Sequence, residues 1–214
     1  MKRAITILVS LALSSFAYSQ VAVDLGLSVK WANCNVGASA PEQYGDYYAW
    51  GETSTKTIYS WKTYRFYDKS LDTQMKYNVT KYCRQKGYGT VDKLKDLEPQ
   101  DDVARVKMKG KWRMPAQEEW EELMKQCKWT WTTQKGVKGY LVTSIKNGNS
   151  IFLPAAGHKI QDETSGAGTL GFYWSNTMGL SYGAYGWTLF FGSANKLSGS
   201  YSRSDGQSVR AVCD

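Results

Sequence analysis

The chemistry open to this chain is set by one histidine, four cysteines and nineteen carboxylates. A hydrolase built on a serine nucleophile would need His158 as its base. His158 stands in AAGHKIQDE, just after an apolar run, with Asp162 four residues on. No G-x-S-x-G turn is present to lift a serine toward it, so the pattern predicts a solvated loop histidine and not a general base. A zinc site built on paired histidines is excluded outright. A glycosidase needs two carboxylates facing each other across a sugar. Asp46, Glu52, Asp162, Glu163 and Asp205 are candidates, and no spacing singles out a pair. Glu118, Glu119, Glu121 and Glu122 form the densest acidic cluster, with Lys125 and Lys128 after it. That order matches the two ends of a helix dipole better than it matches a metal site. Cys34, Cys83, Cys127 and Cys213 are widely spaced, with no CxxC pair, which argues against zinc and thioredoxin-like chemistry. The residues therefore predict no enzyme, no metal and no cofactor.

The elements that must position these side chains follow from period and punctuation. Lys2 and Arg3, an apolar stretch over residues 4–16, and Ala17-Tyr18-Ser19 make the three parts of a secretory signal peptide. Residues 1–19 are expected to be removed, leaving 20–214 as one exported domain in the periplasm, at the cell surface or in the medium. No later stretch is long and apolar enough to span a bilayer, so no integral membrane contact is expected. In such a compartment an even number of cysteines favours two disulfides, with three connectivities open.

The chain has 214 residues, 42% hydrophobic and 14% aromatic, which is too aromatic for a disordered polymer. Its formal charge of +8 is concentrated: residues 53–111 hold fourteen Lys/Arg and seven Asp/Glu, a net +7. Acids are interleaved there (Asp68, Asp72, Asp92, Asp96, Glu98), and no nucleic-acid motif accompanies them. The charge is read as a solvated face, with no nucleic-acid partner.

Residues 24–36 alternate so that Leu25, Leu27, Val29 and Trp31 share a strand face. Residues 53–98 are rich in Lys, Tyr and Thr without a period and are expected to be a basic surface insertion. Asp101 or Asp102 can cap a short helix through Lys109, with Val103, Val106 and Met108 inward. Pro115 opens a second helix, where Trp120, Leu123, Met124 and Cys127 fall on one face. From Trp129 the period becomes two, with apolar runs at 140–143 and 151–153 flanking an Asn147-Gly148 turn. Ser208 to Cys213, SVRAVC, reads as a closing strand. Helices and strands are segregated, so the fold class is α+β.

WANCNVG, YGDYYAWGE, KWRMPAQEEWEEL, WTWTT, NGNSIFLPAAG, FYWSN and SVRAVC occur in that order. In this the chain resembles the Fibrobacter succinogenes major paralogous domain family of exported bacterial proteins, over residues 24–213 except 53–98. That family is similar in turn to formylglycine-generating enzymes. The resemblance implies a C-type-lectin-like fold: two short helices against small antiparallel sheets with long Gly/aromatic-rich loops. It implies framework roles for Trp112, Arg113, Trp120, Trp174 and Arg210. It also implies a closing strand beside other core elements, and hence a disulfide involving Cys213. The cysteine pair that those enzymes carry near the C-terminus is missing, so their activity is not expected. Trp174-Ser175-Asn176 lacks a following Asp, so lectin-type calcium binding is not expected either.

Residues 164–202 hold one charge, Lys196, among Tyr, Trp, Ser, Gly and Asn. This is the composition of a paratope, and the lectin-like resemblance places a ligand face in the same region. Asn176, Tyr182, Tyr185, Asn195, Tyr201 and Arg203 are the candidate ligand-binding residues, while Trp174, Trp187 and Phe190 are expected in the core. The expected function is a non-catalytic binding module for a glycan or a surface protein, with recognition in 176–205 and not in the basic insertion. The alternatives are a structural or adhesive subunit of a surface assembly and, third, an enzyme.

Overall fold

The computed structural model describes residues 20–71, 78–179 and 183–214; the expected signal segment, 1–19, lies outside them. The chain opens with two short strands, β1 (Ala22–Val23) and β2 (Lys30–Ala32), followed by β3 (Val79–Cys83) and β4 (Gly89–Val91). Two helices come next, α1 (Val103–Met108) and α2 (Gln117–Gln126). A run of strands follows: β5 (Cys127–Gln134), β6 (Val137–Ser144), β7 (Ser150–Pro154), β8 (His158–Ile160) and β9 (Glu163–Ser165). Then come β10 (Gly171–Met178), β11 (Tyr185–Phe191), β12 (Lys196–Ser202) and β13 (Val212–Cys213). The fold is α+β, with its strands in small sheets of two or three that pair antiparallel, except for β3 with β4.

Local sequence explains most of these boundaries. The Asp102 carboxylate accepts the Arg105 N–H at the start of α1 and also the Met114 N–H, so one buried acid caps a helix and anchors the chain leading to α2. Val103 is buried as expected, but Val106 is 43% exposed, because six residues make too short a helix to turn a whole stripe inward. α2 begins two residues after Pro115. The Glu119 carboxylate reaches back to the Ala116 N–H at 2.7 Å and pairs with Arg113. Trp120, Leu123 and Cys127 are buried on the expected face. Lys135 and Gly136, both at positive φ, make the two-residue turn between Gln134 and Val137.

Several expectations need correcting. The face Leu25, Val29 and Trp31 is buried, but only Lys30–Ala32 is strand, because Gly26 turns the chain at φ 67°. The tail is not a set of loops. β10, β11 and β12 form an antiparallel meander in which Gly186 lies where a Cβ would fall 2.6 Å from the Trp50 ring. Glycine here lets the strand lie flat on an indole. The segment 53–98 supplies Tyr59, Tyr64, Phe66, Tyr82 and Leu97 to a core cluster with Trp50, Trp174 and Val209. The second core cluster joins Leu25, Trp31, Trp120, Leu123, Tyr173, Leu189 and Val212, so α2 is the layer covering one face of the β10–β12 sheet.

Candidate functional site

The side chains expected to meet a ligand do not converge. Arg203 is fully buried; its guanidinium donates to the carbonyls of Tyr185, Lys81 and Tyr82 and lies 4.4 Å from the centre of the Trp50 ring. It is a strut between the 53–98 segment and the C-terminal sheet, and its expected ligand role is corrected accordingly. Tyr201 is half-buried on β12, edge-on to Phe172 at 5.1 Å and to Phe190 at 5.5 Å. Asn176 works through its backbone, accepting from Leu97 N–H and donating to Pro115 O, while its side chain accepts from Thr177. Tyr185 is half-buried at the start of β11, and Asn195 is exposed in the turn before β12. Tyr182 lies outside the described residues.

His158 is not a solvated loop residue. It begins β8, is 9% exposed, and its ring sits 4.3 Å from that of Phe172. Burial lowers its pKa, and Nδ1 has no hydrogen-bond partner among the described residues. A neutral imidazole packed on aromatic rings fits filling, not proton transfer.

The carboxylates considered for glycoside cleavage have different surroundings. Asp46 accepts the Tyr48 hydroxyl, and Glu52 pairs with Lys56 and accepts the Arg65 N–H. Asp162 and Glu163 are exposed at the β8–β9 turn. No group of three or more His, Cys, Asp or Glu able to hold a metal occurs among the described residues. The expected disulfide is not formed: all four cysteines are free and buried. Cys213 lies opposite Lys30 in the β2–β13 pair, four residues along the chain from Cys34. The Cys34 thiol donates toward Ala38 O, and that of Cys83 toward Gln85 O. Burial raises the Cys34 thiol above its ordinary range and that of Cys127 to about 11, so both stay protonated and unreactive at neutral pH.

Asp205 is the one candidate acid with a large shift, raised to about 6 chiefly by burial although Ser204 and Ser202 hydroxyls favour its charge. A carboxyl that holds its proton more tightly folded than unfolded costs stability as pH rises from about 4 to 6, and the loss persists above that. Asp205→Asn should therefore raise stability at pH 7.5 by roughly 1–2 kcal/mol, after allowance for screening at this half-buried site, and leave pH 4 unchanged. Thermal unfolding at both pH values checks this; equal shifts at the two would contradict it.

What the fold does assemble is a groove of about 770 Å³. One wall is the sheet: Met178 ends β10 and Gly179 follows it, Trp187 comes from β11, and Ser198, Gly199 and Ser200 come from β12. Trp187 pairs with Ser200 and Leu189 with Ser198, so these side chains share the sheet face that α2 covers further along. Gln117, the first residue of α2, and Arg84, Gln85 and Lys95 from the basic segment complete the lining.

The part of the lining that comes from the basic segment is clamped. Asp92 accepts the backbone N–H groups of Tyr82, Cys83 and Leu94 at 2.6, 3.1 and 3.1 Å, which fixes the turn carrying Arg84. Arg203 grips the carbonyls of the same turn from below. Met178 N–H donates to Lys95 O at 2.8 Å, and Leu97 N–H to Asn176 O at 2.9 Å, so the segment bearing Lys95 is laced to β10. On the other side Gln117 N–H donates to Thr177 Oγ1. The groove is thus preformed by backbone hydrogen bonds, the usual condition of a ligand cleft.

The sequence separated the uncharged tail from the basic insertion; the structure builds one cavity from both. Trp187 is buried in the core as expected and also borders the groove; Ser198 and Ser200 fall within the expected recognition range 176–205, whereas Arg84, Gln85 and Lys95 belong to the segment read as solvated surface. Their only signal was the contrast between a +7 segment and a nearly uncharged one.

No curated protein and no solved structure matches the chain. Residues 121–212, which carry the sheet wall of the groove but not Arg84, Gln85, Lys95 or Gln117, are similar to the domain of unknown function DUF8237.

Proposed function

We propose that this protein is an exported, non-catalytic binding module of C-type-lectin-like fold, related to the Fibrobacter succinogenes major paralogous domain family, and that it holds a glycan in the groove between β10–β12 and the basic segment. The observation that carries the reading is the groove: an indole, two side-chain amides (Gln85, Gln117) and hydroxyls from β12 converge on one preformed cleft. Amides and hydroxyls match sugar hydroxyls; the β12 hydroxyls sit on a strand and Gln117 at a helix start, while Gln85 sits in the turn after β3. The engagement of Asp46 and Glu52 by neighbouring side chains and a histidine packed on aromatic rings support binding over turnover.

A substitution that fills the groove without entering the core tests the proposal. Ser198 is exposed and lines the cleft, so Ser198→Trp should reduce binding on a glycan array at least about tenfold, an occluded contact of roughly 1.4 kcal/mol or more, with unchanged thermal stability. Asn195→Ala, in the neighbouring turn but outside the groove, should bind normally. Undiminished binding by Ser198→Trp would move the site elsewhere.

A second reading, an adhesive or structural subunit, draws on the opposite face of the same sheet. Phe172, Phe190 and Leu197 form one cross-strand row there, and Leu197 is 47% exposed, with Leu170 at 37%. Such a row suits a protein contact better than a sugar. Self-association that Leu197→Lys abolishes, with glycan binding absent, would favour this reading.

A further inference from the structure

The chemical class of the ligand can be read from the charges around the groove, given the proposed glycan-binding role. We infer that the groove selects acidic saccharides, chains bearing carboxylate or sulfate groups, with Arg84 and Lys95 as the oxyanion-recognising pair.

Among the described residues the lining contains two cations, Arg84 and Lys95, and no carboxylate. Neither cation is spent. Arg84 is exposed and meets no acid among the described residues. Lys95 has one acidic neighbour, Glu118 at 3.4 Å, with both side chains at least half exposed. A pair of that kind contributes little and yields to a better-placed anion. The contrast within the same segment is informative. Lys56, Arg65 and Lys81 are all committed, to Glu52, to Asp101, and to Glu98 with Asp101 respectively. The cations paired with buried acids pin the segment, whereas Arg84 has no acid and Lys95 only an exposed one.

The backbone shows the same division. Asp92 spends its carboxylate on three N–H groups directly before and after the groove-facing turn, so that turn holds Arg84 in place without a charge partner of its own. A guanidinium so placed can take a carboxylate or sulfate through two parallel N–H donors. Lys86 and Lys93, both exposed, stand two residues from Arg84 and Lys95 in sequence, so cationic side chains recur along the segment, as recognition of a repeating polyanion requires. The neutral side of the groove (Trp187, Gln85, Gln117, Ser198) gives the saccharide part of the recognition: a bare polyanion has nothing for those groups to read.

The test uses the full mature chain and titration calorimetry with four probes of matched length. These are a hexagalacturonate, a sulfated heparin hexasaccharide, a neutral galactose hexasaccharide and poly-glutamate. One or both acidic saccharides should bind, the two arms distinguishing carboxylate from sulfate. Neutral hexasaccharide should bind at least about tenfold more weakly, as should poly-glutamate, since each charge-assisted contact is worth about one power of ten. Arg84→Gln and Lys95→Gln should each weaken the acidic ligand about tenfold while leaving thermal stability unchanged. Raised salt should weaken wild type more than either variant. Equal affinity for the neutral and acidic saccharides, with Arg84→Gln silent, overturns the inference and leaves the glycan-binding role standing. Poly-glutamate binding as tightly as the saccharides shows charge alone and overturns it too. Binding of no saccharide at all overturns the inference together with the proposed role.

Discussion

Replacing Arg210 by alanine should lower the unfolding free energy by about 4 kcal/mol, the sum of orphaned acceptors and a cavity. The Arg210 guanidinium is fully buried and donates to Asn35 Oδ1 at 3.0 Å, Ala32 O at 3.0 Å and Phe152 O at 2.8 Å. Ala32 belongs to β2 and Phe152 to β7, so one side chain stitches the terminal sheet to the β5–β7 sheet. No carboxylate answers its charge among these partners, and burial lowers its pKa from the ordinary arginine range. Carbonyl dipoles therefore do the compensating, which only a planar fork can collect three at a time. Arg210→Lys should recover little of the loss, because one ammonium cannot reach three separated oxygens. Urea unfolding of both variants checks this. An Arg210→Lys protein within about 1 kcal/mol of wild type, the worth of one net hydrogen bond, would mean that the fork geometry is irrelevant.

Trp120→Ala should cost a comparable amount, about 3–5 kcal/mol. The Trp120 ring lies 4.6 Å from that of Trp31 and 5.8 Å from that of Tyr173, and its indole N–H donates to Trp174 O at 3.3 Å. Trp120 and Leu123 are the fully buried side chains by which α2 holds the β10–β11 face. Gln117 is one turn earlier on the same helix, so loosening α2 moves the end wall of the groove. The variant should therefore show faster amide exchange in residues 117–126 and weaker ligand binding even where it is still folded. Trp120→Phe, which keeps most of the ring area and loses one hydrogen bond, should lose about 1–2 kcal/mol and bind nearly normally. Exchange confined to other segments would show that Trp120 does not govern the helix.

Where one residue's neighbours in sequence are also its neighbours in space, the sequence was readable. α2 is such a case: Trp120, Leu123 and Cys127 recur at helical spacing, and the acid-to-base order along the helix agrees with its dipole. The β5–β7 meander is another, since period two and a Gly-containing turn constrain each hairpin locally. Arg203 shows the opposite. It is a candidate ligand residue by sequence, but its three acceptors come from residues 81, 82 and 185, which no local pattern links to it. β12, with the sequence KLSGSYS, has little intrinsic strand preference and is a strand because β11 offers it a full ladder. The groove was illegible for the same reason: its walls are about one hundred residues apart in the chain, and no side chain on either wall is unusual by itself. The disulfide expectation rested on cysteine number and compartment, while the fold places the thiols in separate surroundings.

The pairing of Trp31 with Val212 joins positions 181 residues apart and completes the sheet on which the second core cluster rests. A chain emerging from the ribosome at about 5–20 residues per second spends on the order of ten seconds with Trp31 waiting for its partner. During that interval Trp31, Trp120 and Leu25 have no complete core to enter. Folding of this topology is therefore postponed until synthesis is nearly finished, and until then the nascent chain carries apolar side chains without their partners.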